Sequence, residues 1–117
     1  MVLAVLAAST GKRLRCLACL DSGADSCVFP TSFTFALGLD ILQIKKQPTG
    51  GVGTSANQTY YDYLSIDLGH GIQFTSYVGF IAGLDSRGFG LLGQDGFFDH
   101  YDVCFYQRQS KFTIETS

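Results

Sequence analysis

Leu17-Ala18-Cys19-Leu20-Asp21-Ser22-Gly23-Ala24-Asp25-Ser26-Cys27-Val28-Phe29-Pro30 is the stretch on which the reading of this chain turns. An apolar strand, ending at Leu20, runs straight into an acid. A carboxylate seldom follows apolar neighbours toward an interior without a partner, because desolvating a charge is costly. Asp21, a small hydroxyl and then a glycine suit a tight loop that presents an acid at a cleft. Alone, Asp-Ser-Gly reads as an ordinary β-turn, since Asp and Gly supply the bend. Its setting argues for more. The alternation Leu14-x-Cys16-x-Ala18-x-Leu20 precedes it, and Ala24-Asp25 and then Val28-Phe29-Pro30 follow it.

Working outward, Val2–Ala8 and Leu14–Leu20 are apolar runs separated by Ser9-Thr10-Gly11-Lys12, which predicts a hairpin. After Pro30, Thr31 or Ser32 is placed to cap a short helix through Leu37, with Gly38 as its terminator. Ile41–Ile44 reads as a brief strand. Thr59–Leu68 and Ile72–Ile81 are rich in β-formers around a Gly69-His70-Gly71 turn. Phe97 and Phe98 fall in a one-to-two-turn helix after Gly93. Val103–Tyr106 and Lys111–Ile114 flank a Gln107–Ser110 turn, a last hairpin. Strands this frequent, with Gly turns between them, indicate an all-β barrel or sandwich.

The chain has 117 residues, 46% of them hydrophobic and 15% charged, against a usual charged share of ~25%. That excludes a disordered tail and fits one small domain. A net charge of −2 argues against nucleic acid as a partner, because phosphate binding needs clustered Lys and Arg. No run approaches the ~18 apolar residues of a membrane span. Met1–Ala8 has no basic stretch before it and is not read as a signal peptide. So few ionic groups on a small domain suggest that part of its surface is buried against a partner.

The Asp21 block, with its flanking apolar strands, resembles the active-site loop of retropepsin-like aspartic peptidases, whose signature is an apolar strand, D-[ST]-G-A and another apolar strand. Two further segments match that family in order and spacing. Thr49-Gly50-Gly51-Val52-Gly53 is similar to its flap, a Gly-rich hairpin tip over bound peptide. Gly90-Leu91-Leu92-Gly93-Gln94-Asp95 is similar to its second hallmark, which leads into a C-terminal helix and a closing hairpin. The likeness runs from about Val2 to Ile114; bacterial and retroviral members share this layout, and a bacterial-type member is expected.

The resemblance implies a closed β-barrel of the acid-protease type with a short C-terminal helix, assembled as a two-fold symmetric homodimer. One Asp-Ser-Gly per chain is half an active site, so Asp21 of each copy would face its mate. It further implies that Ser22 braces the dyad across the interface and that Gly23 bonds substrate backbone. The flap amides of Gly50, Gly51, Val52 and Gly53 would close over an extended peptide. Ala24, Asp25, Val28, Val52 and Leu91 would contact substrate in mostly apolar pockets, while Leu92, Gly93 and Gln94 would serve structure and the dimer. No cofactor and no metal is implied. Many relatives carry Arg where Gln94 stands, pairing with the carboxylate that matches Asp25; Gln94 can hydrogen-bond Asp25 but brings no charge. Pro48 and Thr54-Ser55-Ala56-Asn57 also make this flap unusual.

Rival readings are weaker. Gly51-Val52-Gly53-Thr54-Ser55-Ala56 matches a dinucleotide fingerprint in form, but strand-like Tyr60-Tyr61-Asp62-Tyr63 follows where a helix is required. Cys16-x-x-Cys19 sits on a strand, where i and i+3 point to opposite faces. The four cysteines therefore read as small hydrophobic thiols, compatible with a reducing compartment such as the cytoplasm. His70 and His100 read as surface histidines, and no G-x-S-x-G accompanies them. Tyr60, Tyr61 and Tyr63 read as cross-strand aromatic packing, and Lys45-Lys46 as a solvated strand end. The serious alternative is a peptide-binding or dimerisation module that keeps the fold without peptidase activity.

Overall fold

The computed structural model describes residues 1–48, 58–106 and 111–116. Strands β1 (Val2–Ala7) and β2 (Arg13–Leu20) form the expected antiparallel hairpin, in register from Val2 opposite Ala18 to Ala7 opposite Arg13. Side chains alternate between the faces of a strand. Ala4, Leu6, Cys16 and Ala18 therefore point together into the core, while Leu3, Arg13, Arg15 and Leu17 face outward.

After β2 the chain makes the Asp21 loop and enters β3 (Val28–Pro30), then helix α1 (Phe33–Ala36) and strand β4 (Lys45–Pro48). A long antiparallel pair follows, β5 (Gln58–Gly69) and β6 (Ile72–Ile81). His70 and Gly71 join them with φ of +53° and +80°, the positive values that match a tight hairpin turn to the strands' twist. A 3-10 turn at Ala82–Leu84 leads to β7 (Gly90–Leu92). The chain ends in β8 (Tyr101–Tyr106) and β9 (Lys111–Thr116), a separate two-stranded sheet. The turn expected at Gln107–Ser110 lies outside the described residues.

The main sheet has the order β1-β2-β7-β3-β6-β5-β4, and a further pairing of β1 with β5 closes six of its strands into a barrel. Closure leaves those strands no long open edge. Phe29, Phe80, Phe97, Leu37, Leu64, Ile66, Val78 and Leu92 fill the interior, all at or near zero exposure.

Three local expectations are modified. Neither Thr31 nor Ser32 caps α1 with its side chain. The Asp85 carboxylate does so from a distant turn, accepting from Thr31 Oγ1 at 2.6 Å and from the Ser32 N–H at 3.2 Å. Ile41–Ile44 is a turn, not a strand. Asp40 Oδ1 accepts the Leu42 N–H, and the Asp40 carbonyl accepts those of Gln43 and Ile44, so β4 begins only at Lys45. The helix expected after Gly93 is realised as successive turns over Gly96–His100. Gly96 has a φ of +103°, outside the helical region, and its N–H is held by Asp99 Oδ1.

Candidate active site

The acid loop sits where β2 and β7 run parallel, with Ala18, Cys19 and Leu20 opposite Gly90, Leu91 and Leu92. Where β2 ends, the Asp21 N–H donates to the Leu92 carbonyl at 3.0 Å. The chain then bends tightly: the Ala24 N–H returns to the Asp21 carbonyl at 3.1 Å. Inside that bend the Gly23 N–H donates to Asp21 Oδ1 at 3.0 Å, which fixes one carboxyl oxygen. A β-carbon at residue 23 would lie 3.2 Å from that oxygen, so glycine suits the closeness of the loop to its acid. Asp21 is half-buried, whereas Ser22 and Gly23 are exposed.

The second segment locks the loop from the other side. The Gln94 N–H donates to the Ala24 carbonyl at 2.8 Å and the Asp95 N–H to the Asp25 carbonyl at 2.9 Å. Ser26 and Asp95 form an isolated parallel bridge. Gly93 is buried at the crossing, where a β-carbon would be 2.7 Å from the Ala24 carbonyl oxygen and nearer still to that of Ser26. The pairing of the acid block with Leu91-Leu92-Gly93, suggested by order alone, is thus a physical lock.

Asp21, Ser22, Gly23, Ala24 and Asp25 are contiguous in this loop, and Leu92, Gly93 and Gln94 brace it. Val28 and Leu91, both half-buried, are register partners on β3 and β7. The remaining candidates, Gly50, Gly51, Val52 and Gly53, fall in the 49–57 connection from β4 to β5 and lie outside the described residues. One expectation is corrected. The Gln94 side chain does not bond Asp25; its Nε2 donates to the Ser22 carbonyl at 2.7 Å, across 72 positions of sequence.

What gathers beside the loop carries no motif of its own. Ser26, Asp95, Gly96, Asp99 and His100 line a cavity of about 370 Å³ together with Tyr61 and Tyr77. Tyr61 and Tyr63 both pack on Tyr77 of β6, with ring centroids 5.3 and 4.8 Å apart, as cross-strand packing requires; Tyr60 instead packs against the core. The alternation along β5 held this signal: odd-numbered tyrosines share a face. Beneath the loop, Cys27 is fully buried. Burial pushes its thiol up, partly offset by hydrogen bonds from Gly93 and Ser76, while Asp99 and Asp95 push the same way as burial. Burial pushes the Cys16 thiol up to about 11. Both are core thiols with little thiolate at neutral pH. Among the described residues no cluster of His, Cys, Asp and Glu could hold a metal ion.

The closed six-stranded barrel is of the retropepsin-like fold. Among solved structures, a retropepsin-like aspartic protease from Rickettsia conorii aligns with a TM-score of 0.58, covering 95% of this chain and 86% of that one at 18% identity. No family model matches the sequence, and no curated protein does.

Proposed function

We propose that this chain is one protomer of an aspartic endopeptidase, a homodimer in which Asp21 of each copy forms the catalytic pair. The observation that carries this reading is the Asp21 loop. Its acid stands half-buried at the end of β2, with one oxygen oriented by the Gly23 N–H, on backbone tied at both ends to 92–95. The neighbouring solved structure supports the same direction, being itself a retropepsin-like aspartic protease.

The chemistry follows from two carboxyl groups sharing a proton. Held about 3 Å apart they cannot both ionise, a general property of aspartic-protease dyads. The ionised carboxylate takes a proton from a water, which attacks the scissile carbonyl; the protonated one supports the carbonyl oxygen and then supplies a proton to the leaving nitrogen. The titration belongs to the pair and not to either acid. Ser22 braces the two loops across the two-fold axis, and Gly23 with Ala24 and Asp25 bonds the substrate backbone. Gly50, Gly51, Val52 and Gly53 cover the extended peptide, and closure gates its entry and release. Val28, Val52 and Leu91 make apolar pockets, so hydrophobic residues are preferred beside the scissile bond.

The test is cleavage of an unstructured protein at acidic to neutral pH by wild type and Asp21→Asn, with sedimentation on the same samples. We expect a dimer whose activity falls faster than linearly on dilution, and a silent mutant that keeps its fold. Equal cutting by both proteins, or folded dimers that never cut, refutes the peptidase and leaves a peptide-binding module. An active monomer refutes the shared dyad.

A further inference from the structure

The Ser22–Gly23 peptide unit is held at both of its polar ends. Its carbonyl oxygen accepts from Gln94 Nε2 at 2.7 Å, and its N–H donates to Asp21 Oδ1 at 3.0 Å. A peptide unit is planar and stiff, so fixing the oxygen fixes the direction of the N–H on the opposite side. A donor on the carbonyl also polarises the unit and strengthens its N–H as a donor.

We infer that Gln94 is a positioning residue for catalysis: through the Ser22–Gly23 peptide it aims the hydrogen bond that orients the Asp21 carboxyl. The inference rests on the peptidase reading and gives this side chain a part in it. Gln94 suits the role in three ways. It has an amide donor of the right reach, and its own N–H is anchored on the Ala24 carbonyl at 2.8 Å, so the side chain starts from a fixed base. It follows Gly93, whose missing side chain lets this strand end lie against the loop. It is also exposed, so it contributes little to the core and its removal should not unfold the protein.

The variants are Gln94→Met, which keeps length and loses the donor without adding charge, and Gln94→Lys, which restores a donor. In full-length dimer, Gln94→Met should lower kcat about tenfold, the size of one hydrogen bond acting on a reacting group, with KM and the dimer dissociation constant unchanged. Gln94→Lys should recover most of that loss. Independently of activity, amide hydrogen exchange at Gly23 should quicken about tenfold in Gln94→Met, while Ala4 and Cys16 in the barrel stay as slow as before. Unchanged exchange at Gly23, a loss confined to KM, or a loss that disappears at higher protein concentration overturns the inference. Faster Gly23 exchange in a protein whose wild type cuts nothing refutes the peptidase reading and leaves the clamp standing.

Discussion

Replacing Gly93 by alanine tests the lock between the acid loop and β7. The added β-carbon would meet two backbone carbonyl oxygens, that of Ala24 at 2.7 Å and that of Ser26 closer still. Carbon and oxygen in contact need roughly 3.3 Å, so loop and strand must part by about 0.6 Å or more. No rotamer change relieves this, because both oxygens belong to the main chain. Overpacking of this kind costs about 1–3 kcal/mol. Separation also stretches the bonds from the Gln94 and Asp95 N–H groups to the Ala24 and Asp25 carbonyls, now 2.8 and 2.9 Å. Each such bond contributes about 1 kcal/mol. The expected loss is therefore about 3–5 kcal/mol, a large part of the ~5–15 kcal/mol that holds a domain together. Urea unfolding should show a lowered midpoint with an unchanged slope, and peptide cleavage should fall with it. Gly83→Ala is the internal control. A β-carbon there meets nothing within 4 Å, so stability should stay within about 0.5 kcal/mol. A Gly93→Ala protein as stable and active as the control would refute the lock.

Other consequences follow from single residues. Asp85→Ala removes the carboxylate that accepts from Thr31 Oγ1 and the Ser32 N–H; it should lower stability by about 1–2 kcal/mol and leave kcat alone, and a null effect in urea unfolding would remove its capping role. Asp21→Asn should abolish cleavage while thermal unfolding stays near wild type, and residual cutting at the wild-type rate would exclude Asp21 from the chemistry. Alkaline stability should depend on Cys16, whose buried thiol titrates near 11 instead of its ordinary 9.0. Between those values the unfolded chain has lost a proton that the folded chain keeps, so stability falls as pH rises, by about 2–3 kcal/mol in total. Cys27 shifts in the same direction, so Cys16→Ala should flatten the alkaline limb without abolishing it; identical limbs would refute the assignment.

Much of the architecture is legible because it is written locally. Ala4, Leu6, Cys16 and Ala18 alternate with exposed neighbours, so both strands of the first hairpin and their inward faces can be read directly. Ile72–Ile81 is read to the residue, because Gly69-His70-Gly71 marks the turn and β-formers fill the strand. The failures have two causes, one local and one distant. Ile41–Ile44 has strand composition, but Asp40 offers its backbone a turn. The cap of α1 came from Asp85, 54 residues beyond Thr31, a partner that no local rule can find.

The same distinction runs through the site. The two segments of the candidate site were legible in the sequence alone, since a strand ending in Asp21-Ser22-Gly23-Ala24 and the Gly90-Leu91-Leu92-Gly93 run are contiguous patterns. Only the tertiary structure decided what those patterns do to one another. It laid Leu92 beside Asp21, seated Gly93 under the Ala24 and Ser26 carbonyls, and turned Gln94 from Asp25 to the Ser22 carbonyl. The physical reason is one of range. Strand period and turn chemistry are set by neighbours along the chain, whereas a hydrogen-bond partner 72 residues away is chosen only when barrel closure brings the two segments together.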